Sequence, residues 1–213
     1  MDKRIEKVFK GLNSNNIETF YADKKEDVAG IVKSLLKKGD VISCGGSVTL
    51  AECGVHELMR SGDYVFLDRA VPGLTAEDIN KIYRDTFSAD AFITSANAVT
   101  ENGELINVDG NANRVGAITF GPQRVIFVVG VNKIVENVQE GFKRVKTVAA
   151  PKNAQRLDCK TPCKTLGHCI YPDGDIATGC KSPQRICSSY SVTAFQRNSD
   201  RIKVILCGDI LGY

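Results

Sequence analysis

Apolar and polar positions along this chain alternate at two periods, and the switches between the periods mark out a succession of helices and strands. Ile5, Val8, Phe9 and Leu12 recur at helical spacing until Asn13-Ser14-Asn15-Asn16 interrupts them, and residues 17–22, IETFYA, then read as a strand. Residues 24–36 predict a second helix, with Val28, Ile31, Val32, Leu35 and Leu36 in one stripe and Lys37-Lys38-Gly39 supplying C-terminal cations and a stop. A buried strand, Val41-Ile42-Ser43, runs into Cys44-Gly45-Gly46-Ser47-Val48-Thr49 and then into a helix, LAECGVHELMR. Residues 64–67, YVFL, predict another strand, Thr75 caps a helix that runs through Phe87, and residues 91–96, AFITSA, return to strand. Arg124 to Gly130 is one more buried strand, and Ile134 to Val145 reads as a helix with Val135, Val138, Phe142 and Val145 inward. This order predicts an α/β fold, a mostly parallel Rossmann-like sheet with helices on both faces, and a ligand at the carboxyl ends of the strands. Gly45 to Thr49 and Ser95 fall at such ends.

Between residues 91 and 131 the apolar runs are interleaved with Asn, Asp and Gly. Asn102-Gly103, flanked by AVT and LIN, predicts a two-residue type I′ hairpin, because both central positions of that turn need φ > 0. In that register Glu101 pairs with Glu104, Ala98 lies opposite Asn107 and Ala96 opposite Asp109. Period-two alternation puts Asn107 and Asp109 on one face of the strand and Ile106 and Val108 on the other. Asn111, Asn113 and Arg114 follow at once. Turn chemistry alone accounts for many Asn and Gly residues. Arg114, an always-charged fork of donors suited to carboxylate or phosphate, turns the reading toward a ligand site.

The strand, glycine loop and helix around Gly45, Gly46, Ser47 and Thr49 have the order of an anion cradle, although such loops also simply turn a chain. Neither the dinucleotide-binding nor the P-loop glycine pattern is present. The expectation is that these four residues and Asn107, Asp109, Asn111, Asn113 and Arg114 converge on one polar pocket for a small anionic metabolite. His56, Cys44 and Cys53 are read as packed or surface residues without chemistry.

After Ala149-Ala150-Pro151 the periodicity fades into a segment rich in Cys, Pro and Gly, so the expectation is one α/β domain over residues 1–213 with a Cys-rich loop at 151–189. The tail regains order, with residues 190–195 and 202–207 reading as two strands able to pair with each other. Five of the eight cysteines lie between Cys159 and Cys187. The amino-terminal residues lack a continuous apolar stretch, and no later run approaches the roughly 18 apolar residues of a spanning helix. A cytoplasmic, reducing setting is therefore expected, where clustered thiols more often bind metal or react than pair as disulfides. Cys163, Cys169, Cys180 and Cys187, with five, ten and six residues between them, are the candidate ligands of one centre. Four thiolates suit either zinc or an iron–sulfur cluster, with Cys159 and His168 as alternative ligands and unliganded thiols as the third reading. The formal net charge of +3 comes from dispersed Lys and Arg and gives no basic stripe for nucleic acid.

Several separated motifs, GGSVTL, ITSANAVTENGELINVDGNANRV, AAPKNAQRL, TPCKTLGHC, CKSPQRIC and VILCGDILGY, together resemble the lactate-utilisation (LUD) domain family over nearly the whole chain. The resemblance implies a fold like the ribose-5-phosphate isomerase and CoA-transferase group. It also implies an accessory or electron-transfer role in oxidising lactate to pyruvate, alongside iron–sulfur partner proteins. The chain departs from the family pattern between Cys169 and Cys180, where YPDGDIATG replaces a short spacer. Thr100-Glu101-Asn102-Gly103 is similar to the Ser-Glu-Asn-Gly motif of one CoA-transferase class, whose glutamate attacks an acyl-CoA. That similarity offers Glu101 as a nucleophile in an enzyme acting on an acyl-CoA or phosphorylated small molecule; the plain alternative is an exposed hairpin flank.

Overall fold

The structure, a computed structural model, describes residues 2–173 and 175–213. Its elements in chain order are α1 (Lys3–Ser14), β1 (Glu18–Ala22), α2 (Lys25–Ser34), β2 (Val41–Cys44), α3 (Val48–Glu52), α4 (Val55–Met59), β3 (Val65–Phe66), α5 (Ala76–Asp85), β4 (Ala91–Thr94), β5 (Ala98–Thr100) and β6 (Leu105–Asp109). They continue with α6 (Asn113–Phe120), β7 (Arg124–Gly130), β8 (Ile134–Val135), α7 (Val138–Arg144), α8 (Ala150–Arg156), α9 (Pro162–Leu166), β9 (Ser189–Thr193) and β10 (Ile202–Cys207). Thr75 caps α5 as expected: its hydroxyl accepts from the Asp78 amide while the Asp78 carboxylate accepts from the Thr75 amide.

Six strands form an all-parallel sheet in the order β1-β10-β7-β4-β2-β3. Both faces are buried, which is why its central strands read as nearly unbroken apolar runs. Along β7, Val125, Phe127 and Val129 enter a core with Ile5, Val8 and Leu12 of α1 and Ala117 and Ile118 of α6. Ile126 and Val128 point the other way, to Val28 and Val32 of α2, Leu50 of α3 and Val55 and Met59 of α4. The α/β architecture expected from the sequence, a parallel sheet with helices on both faces, is the one present.

A second, four-stranded sheet, β8-β5-β6-β9, departs from expectation in three places. The hairpin is one residue out of the expected register: Ala98 pairs with Ile106 and Val99 with Leu105. Only Gly103 has positive φ, the Gly103 amide bonds to the Thr100 carbonyl, and the Thr100 amide to the Glu104 carbonyl. The turn is therefore a three-residue loop ending in a left-handed glycine, where a two-residue type I′ turn would have needed Asn102 left-handed too. Ile134-Val135 pairs with β5 as a short strand, so the helix expected from 134 begins only at Val138. It runs on through a π-helical turn at Val145–Ala149 into α8, so that Pro151, expected to end order, sits in the first turn of α8 and the irregular loop starts after Arg156. Finally, the last two strands do not pair with each other: β9 lies antiparallel to β6, whereas β10 inserts between β1 and β7. Among the described residues no helix is long and apolar enough to cross a membrane.

Candidate functional site

The carboxyl ends of the parallel strands open into a cleft of about 570 Å³. The loop after β2 brings Gly46, Ser47 and Thr49, the turn after β4 brings Ser95 and Asn97, and Arg69 follows β3. Lys133 arrives three residues after β7, and Gly212 and Tyr213 follow β10. The segment from Asp109 to Arg114 forms one wall, α8 another through Asn153 and Arg156, and Pro183 to Ile186 of the Cys-rich loop a third.

Of the nine residues expected to meet in one pocket, Gly46, Ser47, Thr49, Asp109, Asn111, Asn113 and Arg114 line this cleft, and the other two stand directly behind it. Asn107 is fully buried, and its side-chain oxygen accepts from Arg114 Nη1 at 2.9 Å. Gly45 packs closely behind Arg114, where an added Cβ would lie 3.0 Å from Arg114 Cδ. Period-two alternation holds along β6: Ile106 and Val108 pack with Val135 and Val145, while Asn107 and Asp109 turn to Arg114.

Arg114 has a different role from the one its sequence position suggested. Nε donates to Asp109 at 2.9 Å, Nη1 to the Ser95 carbonyl and Asn107, and Nη2 to Asn97 at 2.6 Å and the Val108 carbonyl. All five guanidinium N–H groups are thus satisfied by protein. Arg114 locks the β4–β5 turn to β6 and has no donor left for a ligand.

The cations that remain available are ones the hydrophobic pattern did not single out. Arg69 Nη1 donates to the Tyr83 hydroxyl at 2.7 Å, with its guanidinium 5.3 Å from the ring centroid. Arg156 Nε donates to the Tyr213 hydroxyl at 2.8 Å, and both Nε and Nη2 donate to Asn153. Among the described residues neither arginine has a carboxylate within ion-pair distance, while Asp109 is bound to Arg114. Lys133 is only 3 % exposed; its Nζ donates to Thr49 Oγ1 at 2.8 Å and Ser95 Oγ at 2.9 Å. Burial, then the Arg144 and Arg114 charges, lower its pKa to about 7 against the opposing pull of Glu52 and Cys53. One sequence signal could have found it. Lys133 follows the end of a buried parallel strand, the argument already applied to Gly45 and Ser95.

Glu101 lies outside the cleft. At the hairpin tip it accepts from Lys7 Nζ at 2.8 Å and Arg4 Nε at 3.1 Å, and these partners, Lys7 first, hold its carboxyl below the ordinary glutamate range. Its local geometry is that of a flank pinned to α1, and it does not line the cleft. Cys44, beside the glycine loop, is pushed up to about 11 by burial and remains a thiol.

The four candidate metal ligands occupy the loop that walls the cleft. Burial raises the Cys163 thiol, its Thr161 hydrogen bond lowers it, and Cys180, Cys187 and Cys169 raise it again. Cys169 Sγ accepts from the Tyr171 amide at 3.4 Å and Cys187 Sγ from Arg185 Nε at 3.4 Å. Arg185 also donates to the Cys187, Cys180 and Ala177 carbonyls, and Lys146 anchors the loop through the carbonyls of Thr178, at 3.0 Å, and Asp175. All four cysteines are free thiols, and among the described residues no group of three His, Cys, Asp or Glu is arranged to hold a metal ion. His168 is occupied with the Leu166 carbonyl, and Cys159 is buried facing the cleft.

Comparison with known proteins gives one family: the LUD domain model matches residues 5–207. Among solved structures, a DUF162 family protein from Deinococcus radiodurans is 18% identical, with 97% of each chain covered and a TM-score of 0.54, a likeness of fold. The tetrameric eIF2B-beta2-delta2 complex from C. thermophilum is 17% identical with a TM-score of 0.38, over 57% of this chain and 48% of that one. No curated protein matches the chain.

Proposed function

The chain belongs to the LUD domain family over residues 5–207, and from that premise we propose that it is an accessory, electron-transferring component in the oxidation of lactate to pyruvate, with Cys163, Cys169, Cys180 and Cys187, which are not drawn together as a metal site among the described residues, as the ligands that an iron–sulfur cluster would gather. The observation that carries the reading is the position of these thiols. Cys180 and Cys187 flank Pro183 to Ile186, which wall the cleft, and both are tied to Arg185, which faces it. A redox centre in that place would stand next to a site whose cations lack carboxylate partners and so attract small anions.

The bound cluster would supply one-electron transfer. The chain's own residues do the rest. Arg185 and the Tyr171 amide direct N–H groups at two of the sulfurs, and such hydrogen bonds stabilise charge on sulfur and tune the potential of a centre. Arg185 holds the loop's backbone carbonyls in place, so that the spacing between Cys180 and Cys187 does not rest on turn propensity alone. Zinc on the same thiolates would only fix the loop's shape, and the family's association with lactate oxidation favours iron.

Anaerobic purification followed by iron and sulfide analysis tests the reading. Stoichiometric iron in the parent, lost in both Cys169→Ser and Cys180→Ser, is the expected result, with lactate-dependent acceptor reduction by the partner proteins rising when the parent is added. Metal-free parent protein, prepared without chelator or air, would overturn it.

A further inference from the structure

Two guanidiniums without counter-ions converge on a single point above the glycine loop. A Cβ built on Gly46 would lie 2.8 Å from Arg69 Nη2 and 3.6 Å from Arg156 Nη2. Like charges held this close repel unless an anion lies between them, and no carboxylate among the described residues supplies one. Each guanidinium is instead oriented by neutral partners, Tyr83 for Arg69 and Asn153 and Tyr213 for Arg156, which fix its direction and leave its charge uncompensated. The buried Lys133 amine lines the same cleft. The Gly212-Tyr213 dipeptide links it to Arg156: a Cβ on Gly212 would meet Thr49 Oγ1 at 2.7 Å and Lys133 Nζ at 3.6 Å, while the Tyr213 hydroxyl accepts from Arg156.

We propose that Arg69, Arg156 and Lys133 form a binding site for a small phosphate monoester, its dianionic head between the two arginines over Gly46. Charge selects the class. Two fixed cations and one titratable amine match a group carrying nearly two negative charges at neutral pH better than they match a single carboxylate. Guanidinium forks pair bidentately with phosphate oxygens. Burial, then Arg144 and Arg114, lower the Lys133 amine's pKa to about 7, with Glu52 and Cys53 pulling the other way. A dianion entering the cleft reverses that balance and raises the amine's pKa. For a dianion whose own charge is fixed, binding is therefore strongest below pH 7 and weakens as pH rises through 7 toward the ligand-bound pKa, whereas a phosphate also loses its second charge in acid. The site does not depend on the cysteine centre.

Calorimetric titration of the whole protein with inorganic phosphate, repeated in two buffers of different ionisation heat, is the test, with sulfate as a dianion that does not itself titrate across this range. Saturable phosphate binding is expected, with Arg69→Met and Arg156→Met each weakening it about tenfold or more, the loss of one charge-assisted contact. Sulfate binding should carry proton uptake that disappears in Lys133→Met together with its pH dependence above neutrality. Arg156 is exposed, so its variant folds irrespective of the role assigned here. Absence of phosphate binding at millimolar concentration, unchanged affinity in both arginine variants, or proton uptake that survives Lys133→Met would each overturn the proposal. Iron content measured on the same preparations keeps this outcome separate from that of the redox reading.

Discussion

The two sheets of this molecule are held by different forces. In the six-stranded sheet the side chains between the strands and the helices are almost all aliphatic, and β7 contributes Val125 to Val129 without one polar group. In the four-stranded sheet the wall of the cleft is polar and buried. Asn107 is fully enclosed, its amide nitrogen has no hydrogen-bond partner among the described atoms, and the Ser191 hydroxyl directly across the ladder is likewise unpaired. Apolar packing is non-directional and tolerates small changes of shape, whereas a buried polar network depends on every member being present. The parallel sheet is therefore the scaffold, and the smaller sheet is where specificity has been built at the expense of tolerance.

Arg114→Met puts that contrast under the greatest stress. It leaves the largely buried Asp109 carboxylate without its cation, with the Val115 amide still donating to it, and strips donors from Asn97, Asn107 and two backbone carbonyls, so a loss of about 3–5 kcal/mol is expected. Arg114→Lys should rescue little of this, because one ammonium cannot serve five acceptors in a plane. Denaturant unfolding measures both, and a midpoint close to the parent's would show that the network is dispensable.

Gly103→Ala comes next. The backbone there has φ of +86°, and an added Cβ would lie 2.3 Å from the Gly11 carbonyl carbon of α1, where no side chain can swing aside. Left-handed strain and a backbone collision together predict a loss of roughly 2–4 kcal/mol. Ile126→Val, in the middle of the parallel sheet, removes one methyl group from an aliphatic environment and should cost only about 0.5–1.5 kcal/mol. An effect at Ile126 as large as that at Arg114 would erase the distinction between the two sheets.

The same contrast explains what could be read from the chain. Elements of the parallel sheet announce themselves by continuous apolar runs set between amphipathic helices, and Val41-Ile42, residues 91–94 and 124–130 are strands as read. The convergence of the glycine loop with Asp109 to Arg114 followed from topology, since strand ends meet at one edge. The hairpin register did not, because Asn-Gly fits both a two-residue turn and a three-residue loop, and packing of Gly11 against Gly103 belongs to a contact about ninety positions away in the chain. Nor did the separation of β9 from β10: adjacent strands usually pair, but β10 completes the parallel core between β1 and β7. Arg69 and Arg156 carry no local pattern at all, and Lys133 carries only its place after the strand at 124–130. Their meaning lies in which charges lack partners, and only three-dimensional neighbours reveal that.

Glu101 gives the smallest effect and the clearest sign. Its carboxylate is pinned by Lys7 and Arg4, whose side chains are 61% and 51% exposed, so solvent screens most of the attraction. The Lys7 contact, and then Arg4, lower its pKa in the folded chain. A depressed carboxyl stabilises the fold above the ordinary glutamate range, and that contribution is lost as pH falls through the folded value. Glu101→Gln should therefore lower the melting temperature slightly at neutral pH and match the parent once both are acidified below that range. Thermal melts of the two proteins across this window provide the check. A deficit in the variant that persists in acid would mean that the hairpin tip depends on the shape of Glu101 and not on its charge, and would place this corner with Gly103, among the sterically defined contacts of the smaller sheet.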